Sequence, residues 1–136
     1  MADIALTASY ISPVNETECE MWTLIAGGTI TRGQAVGINT AGKAVVADAS
    51  TGTQNNARGI ALNGAASGGT VTILVQGSCY GFTLTQAYDA PIYLSNTEGA
   101  LADAAGDVSL VAGRVKPMAD GATPTKVLYV NFPAAM

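Results

Sequence analysis

The sequence predicts an all-β fold: a compact β-sandwich or small β-barrel with an extended N-terminal segment. Three observations lead there. The apolar residues fall in short β-rich runs, Gly-rich turn chemistry separates those runs, and helix signals are scarce. Many short strands at regular spacing with such turns read as a sandwich or barrel.

The runs follow in order. They are "IALTASYI" (4–11), "MWTLIA" (21–26), "QAVGI" (34–38), "AVVA" (44–47), "RGIAL" (58–62), "TVTILVQ" (70–76), "YGFTL" (80–84), "APIYLS" (90–95), "VSLVAGRV" (108–115) and "KVLYVNF" (126–132). Turns such as "NTAGK", "NGAASGG", "SNTEG" and "ADGATP" lie between them. The polar stretch 48–57 is the longest loop candidate, with room for a short helical turn. In "TVTILVQ", Val71, Ile73 and Val75 share one face and Thr70, Thr72, Leu74 and Gln76 the other, part of the alternation that a half-buried strand needs. In "KVLYVNF", Leu128, Val130 and Phe132 alternate with Val127, Tyr129 and Asn131. Apolar residues on both sides predict a strand covered on both faces.

The chain also looks doubled, with pseudo-repeats at 29–77 and 83–132. Val36 aligns with Ile92 and Ile38 with Leu94. Gly59 aligns with Gly113 and Ile73 with Val127. The match rests on residue class, so duplication and chance both stay open. If real, it describes two similar β-units, each too short to bury its apolar face alone. Residues 25–136 form the β-domain, and 1–24 lie outside the repeats as an N-terminal arm or edge strand. This segment is apolar and is divided by Pro13. It reads either as a strand completing the sheet or as an arm adding to a neighbour's sheet edge. Ile4, Leu6, Tyr10, Ile11 and Trp22 are its candidate contacts with a neighbouring protein or another subunit.

Composition narrows the function. The 136 residues fit one domain, and 49% of them are hydrophobic against only 12% charged. So little charged surface favours a subunit of an assembly. The net charge is −4 and the six basic residues are scattered, so the basic stripe that nucleic acid requires is missing. The N-terminus has no signal-peptide pattern, and no run approaches the roughly 18 apolar residues of a membrane helix. This reads as a soluble product of the cytoplasm.

Candidate chemistry is sparse. The chain contains no His, which removes the commonest general base and metal ligand. Gly64–Thr70, "GAASGGT", has the outline of a phosphate-binding loop. It lacks the Lys after its second Gly, and a β-branched run follows where a helix is needed. It is better read as a turn between strands. Glu16, Glu18 and Glu20 alternate, so on a strand they would share one face, solvated or turned to a partner. Cys19 and Cys79, far apart in sequence, read as reduced and buried thiols rather than a disulfide. No catalytic, cofactor or metal constellation is expected.

Two stretches carry a family resemblance. "AGGTITRGQAVGINTAGKAVVADAST" and "ARGIALNGAASGGTVTILVQG" resemble the capsid cement, or head decoration, proteins of tailed bacteriophages. The matching positions are Ile30, Gly33, Ala35 and Val36, then Gly42, Lys43 and Ala47-Asp48-Ala49, then Gly59 to Gly77. Tyr93-Leu94-Ser95 and Gly99 match a second, weaker unit. The likeness covers roughly residues 26–115 and speaks to fold more than to any site. Lys116-Pro117 departs from the family pattern, which leaves the pairing of that strand open.

The resemblance implies a non-enzymatic structural protein on the outer surface of the virion. It would bind the assembled head as a homo-oligomer, often a trimer, and clamp adjacent major capsid protein subunits against DNA pressure. No cofactor, nucleic acid or membrane is implied. The alternative is a virion-surface module recognising a host glycan or receptor. It is weakened by an aromatic content of 6% and a single Trp, Trp22.

Overall fold

The computed structural model describes residues 2–51 and 56–132. The middle of the long polar loop, 52–55, lies outside the described residues, and with it the helical turn expected there. Among the described residues ten strands form one antiparallel sheet, curled into a half-barrel, and there is no α-helix. They are Ser12–Pro13 (β1), Glu20–Ile25 (β2), Ala35–Ile38 (β3), Ala44–Val46 (β4), Ala57–Ala61 (β5), Thr70–Tyr80 (β6), Pro91–Leu94 (β7), Leu101–Ala102 (β8), Val111–Pro117 (β9) and Lys126–Asn131 (β10).

The strand order is β4-β3-β5-β6-β10-β9-β7-β8. Read outward from the β6–β10 pair, both halves have the same arrangement. The registers match as well: Val36 faces Gly59 where Ile92 faces Gly113, and Ile38 faces Ala44 where Leu94 faces Leu101. Each half even shifts register at the same place, between Val36 and Gly37 and between Ile92 and Tyr93.

The two glycines have one job. A Cβ on Gly59 would lie 2.6 Å from the Leu74 carbonyl oxygen, and one on Gly113 only 1.9 Å from that of Tyr129. Only a residue without a side chain lets the neighbouring strand come so close. Leu74 and Tyr129 are thus the equivalent residues, which moves the sequence alignment of the last strands by one position.

Both faces of the first-half strands are buried. Alternation sends Ala35, Ile60 and Leu74 into a larger core with Ile92, Leu94 and Leu128. It sends their neighbours Val36, Ala61 and Ile73 into a smaller core with Ala26, Ile30 and Val71. Leu128, Val130 and Phe132 of the last run also face the larger core.

Three local readings are revised, and the strand left open at Pro117 has its partner. The 4–11 run is no continuous strand: Ala8–Tyr10 forms a 3-10 turn, with an isolated bridge at Leu6 before it and the two-residue β1 after it. The run at 80–84 forms no strand of its own: Tyr80 ends β6, and beyond it Phe82 makes only an isolated bridge with Leu6. Pro117 ends β9 opposite Lys126, where its missing N–H costs least. Glu16, Glu18 and Glu20 do not share a strand face. Glu16–Glu18 is a 3-10 turn whose preceding Asn15 accepts a hydrogen bond from the Thr17 amide, and only Glu20 belongs to β2.

The opening of β6 confirms the turn at "NGAASGG". The Gly69 amide donates to the Ala66 carbonyl at 2.9 Å, with Gly68 at φ +87°. Asn63 braces the turn, its Oδ1 accepting from the Thr72 amide at 2.7 Å and its Nδ2 donating to the Thr70 carbonyl. No helix follows to hold an anion. At the matching place in the second half, Asp120 accepts from the Thr125 amide at 2.9 Å, a similar brace.

Candidate interaction surface

The N-terminal segment is woven into its own sheet. The Ile4 amide donates to Leu101 at 2.8 Å, and the Thr7 amide to Gly81 at 2.8 Å, tying residues 2–7 to β8 and to the end of β6. β1 then pairs with β6 at Tyr80 and Cys79, and β2 pairs with it from Gln76 to Thr70. Gln76 is partnered by both Glu20 and Asn131, and Cys79 by both Pro13 and Leu128. A strand has two edges, so residues 12–25 run down one edge of β6 while β5, at Ile73 and Leu74, and β10, from Gln76 to Cys79, share the other. Past β2, the Gly27 amide donates to Ala44 at 2.7 Å and joins this segment to β4.

This placement divides the expected contact residues. Ile4 and Ile11 are buried in the larger core, so they are corrected from partner contacts to core residues. Their hydrophobic burial is already used within the chain. Leu6 is half-buried against the same core and bridges to Phe82. Tyr10 and Trp22 do reach the surface, 69% and 37% exposed.

Trp22 sits on the strand with the most open surface. Among the described residues β2 pairs on one side only, with β6, and five of its six residues are exposed. Met21 and Ile25 stand out beside Trp22 as large exposed apolar side chains. Unpaired edges are usually blunted by charge, proline or a bulge. Here a register shift and one carboxylate sit at the Glu20 end, while Met21–Ile25 carries neither charge nor proline. The Trp22 indole Nε1 donates to Glu20 Oε2 at 2.9 Å, which fixes the ring. Behind it lies a groove of about 600 Å³ lined by Glu20, Trp22, Arg58, Gln76, Asn131 and Phe132, among others.

A second apolar area surrounds Tyr10, where Tyr80 is also exposed and Ser9, Ser12 and Gly81 line a shallow hollow. Sequence reading missed Met21, Ile25 and Tyr80 as surface residues. Their runs signal a strand equally well whether the strand is central or at an edge. Among the described residues no group of three or more His, Cys, Asp or Glu is placed to hold a metal ion. No helix among them is long and apolar enough to cross a membrane. No protein-family model matches this chain, and no curated protein gives a significant match to it.

Proposed function

We propose that this chain is a structural virion protein that binds the outer surface of an assembled phage head and cements adjacent major capsid protein subunits. The observation that carries this reading is the edge of β2 left unpaired among the described residues, with Met21, Trp22 and Ile25 exposed along a stretch, Met21–Ile25, that carries no charge. The sequence resemblance of residues 26–115 to capsid cement proteins points the same way. An exposed edge of this kind can take up a strand or an apolar surface of a partner.

In this reading the protein is not an enzyme, acts as a homo-oligomer with a trimer favoured, and needs neither nucleic acid nor membrane. The mechanism is mass action. A protein that binds only the expanded, assembled lattice stabilises it relative to separated subunits, and several contacts on one lattice add avidity. The test is to mix the purified protein with expanded capsids from which it has been stripped. Stoichiometric binding and a higher disruption temperature are expected. Failure to bind such shells overturns the reading.

The groove behind Trp22 favours a second reading, a virion-surface module for a host glycan or receptor. It combines a fixed aromatic ring with carboxylate, amide and guanidinium groups. As Trp22 is the only Trp, its fluorescence reports directly on saccharides added to the free protein.

A further inference from the structure

Cys19 and Cys79 are both free thiols, sixty positions apart in sequence (79 − 19). The fold brings them to one strand. The chain leaves the edge of β6 after Pro13, which faces Cys79, and returns at Glu20, which faces Gln76. Cys19 folds back between these points onto Gly77. A Cβ placed on Gly77 would lie 2.4 Å from Cys19 Sγ and 3.0 Å from Cys19 Cβ. Gly77 has φ +142° and no side chain, so the Cys19 thiol fills the place of a side chain at position 77.

Positions 77 and 79 lie two apart on a continuous strand and therefore point to the same face. Cys79 faces the larger core, and Cys19 packs against that core. The Cys19 sulfur therefore lies on the same face of β6 as Cys79, close enough that, beyond burial, charge on Cys19 raises the Cys79 thiol. Access differs between the two. Cys19 lines a small surface cavity of about 80 Å³ with Glu18, Lys116 and Tyr129, and a groove with Glu20 and Gln76. Cys79 is 1% exposed.

We propose that Cys19 and Cys79 are a redox pair that closes to an intrachain disulfide in an oxidising medium and latches the N-terminal segment onto β6. With oxidised glutathione as the oxidant, the Cys19 thiolate attacks one sulfur of its disulfide and expels one glutathione thiolate. Cys79 then gives up its proton and attacks the Cys19 sulfur of the mixed disulfide, expelling the second glutathione. Two protein thiols lose two protons and two electrons, and one oxidised glutathione becomes two reduced ones. Cys19 is the entry point because the oxidant can reach it. The second step is the slow one: burial pushes the Cys79 thiol up to about 12, opposed in part by a contact with the Ser12 backbone and by the Arg32 charge. The pairing rests on geometry alone. Only the place of oxidation rests on the proposed function, since virion surfaces are among the settings where disulfides persist.

The test uses the full native chain, incubated with oxidised glutathione, blocked with iodoacetamide and read by intact mass and peptide mapping. The expected product is a monomer two hydrogens lighter, with a peptide link between Cys19 and Cys79 and a higher melting temperature than the reduced form. Cys79→Ala is expected to stop at a glutathione adduct on Cys19, and Cys19→Ser to gain no adduct. Native protein that keeps both thiols free, while urea-unfolded protein forms the link, overturns the proposal. So does a product linked only between chains. These outcomes leave capsid binding unaffected, so failure here and failure of the cement reading are told apart.

Discussion

The guanidinium of Arg32 donates from both Nε and Nη2 to the single carbonyl oxygen of Ile11, the Nε contact being 2.9 Å and both partly buried. This pair fastens the N-terminal segment where Ile11 enters the core. A hydrogen bond from a charged group is worth about 1.5–3 kcal/mol. Arg32→Ala is therefore expected to destabilise the fold by about that much and to speed hydrogen exchange at the Thr7 and Ile11 amides before other core amides. Unchanged exchange there would show that the segment is held without Arg32. Deleting residues 2–14 removes Ile4 and Ile11 from the core and is expected to cost far more, by urea denaturation.

The paired glycines make a graded prediction. Gly113→Ala puts a methyl at 1.9 Å from a backbone oxygen, Gly59→Ala at 2.6 Å, and Gly28→Ala meets nothing within 4 Å. Forcing strands apart exceeds the ordinary mutational cost of about 1 kcal/mol. The expected order of damage is Gly113, then Gly59, then Gly28 with almost none. Equal denaturation midpoints for the three would refute the close approach.

Alkaline pH isolates Cys79. Burial raises its thiol from 9.0 to about 12, so the folded state holds the proton more tightly than the unfolded chain. The stabilising contribution is complete below about pH 9 and is lost as pH rises from there through about 12. The reduced protein is expected to lose stability over that window, and Cys79→Ala to lose less of it. Parallel curves for the two proteins would exclude the thiol as the source.

Surface and core residues of the N-terminal segment should separate experimentally. Met21→Lys and Ile25→Lys place charge on the open edge of β2, which natural edge strands tolerate. They are expected to change stability by less than about 0.5 kcal/mol and to abolish capsid binding. Ile4→Ala is expected to cost about 2–5 kcal/mol while capsid binding by the folded fraction persists. Binding of the Lys variants at full affinity would remove β2 from the proposed interface.

Much of the fold was legible because alternation and turn chemistry are local. The strands at 35–38, 44–46, 57–61 and 126–131 lie within or close to their apolar runs, and "NGAASGG" makes the predicted turn. Other features depend on partners that are distant in sequence. The "IALTASYI" run alternates well enough for a strand, yet its backbone pairs only where β8 and residues 81–83 meet it. The three glutamates lost their shared face to one Asn15 side chain. The candidate surface was half legible: the segment and Trp22 could be read, but an apolar residue in an edge strand looks the same in sequence whether it faces core or solvent.

By itself, the sequence determined an all-β chain, the places of most turns and the alternation that sends Val71 and Leu74 to opposite faces. These follow from φ/ψ preference and a two-residue period, which need no knowledge of the rest of the molecule. Only the tertiary structure decided that Ile4 and Ile11 are core while Trp22 is surface. It also decided that β2 pairs on one side only among the described residues and that Cys19 rests on Gly77. Each of these is settled by which distant strand lies alongside, and strand pairing is a property of the whole sheet.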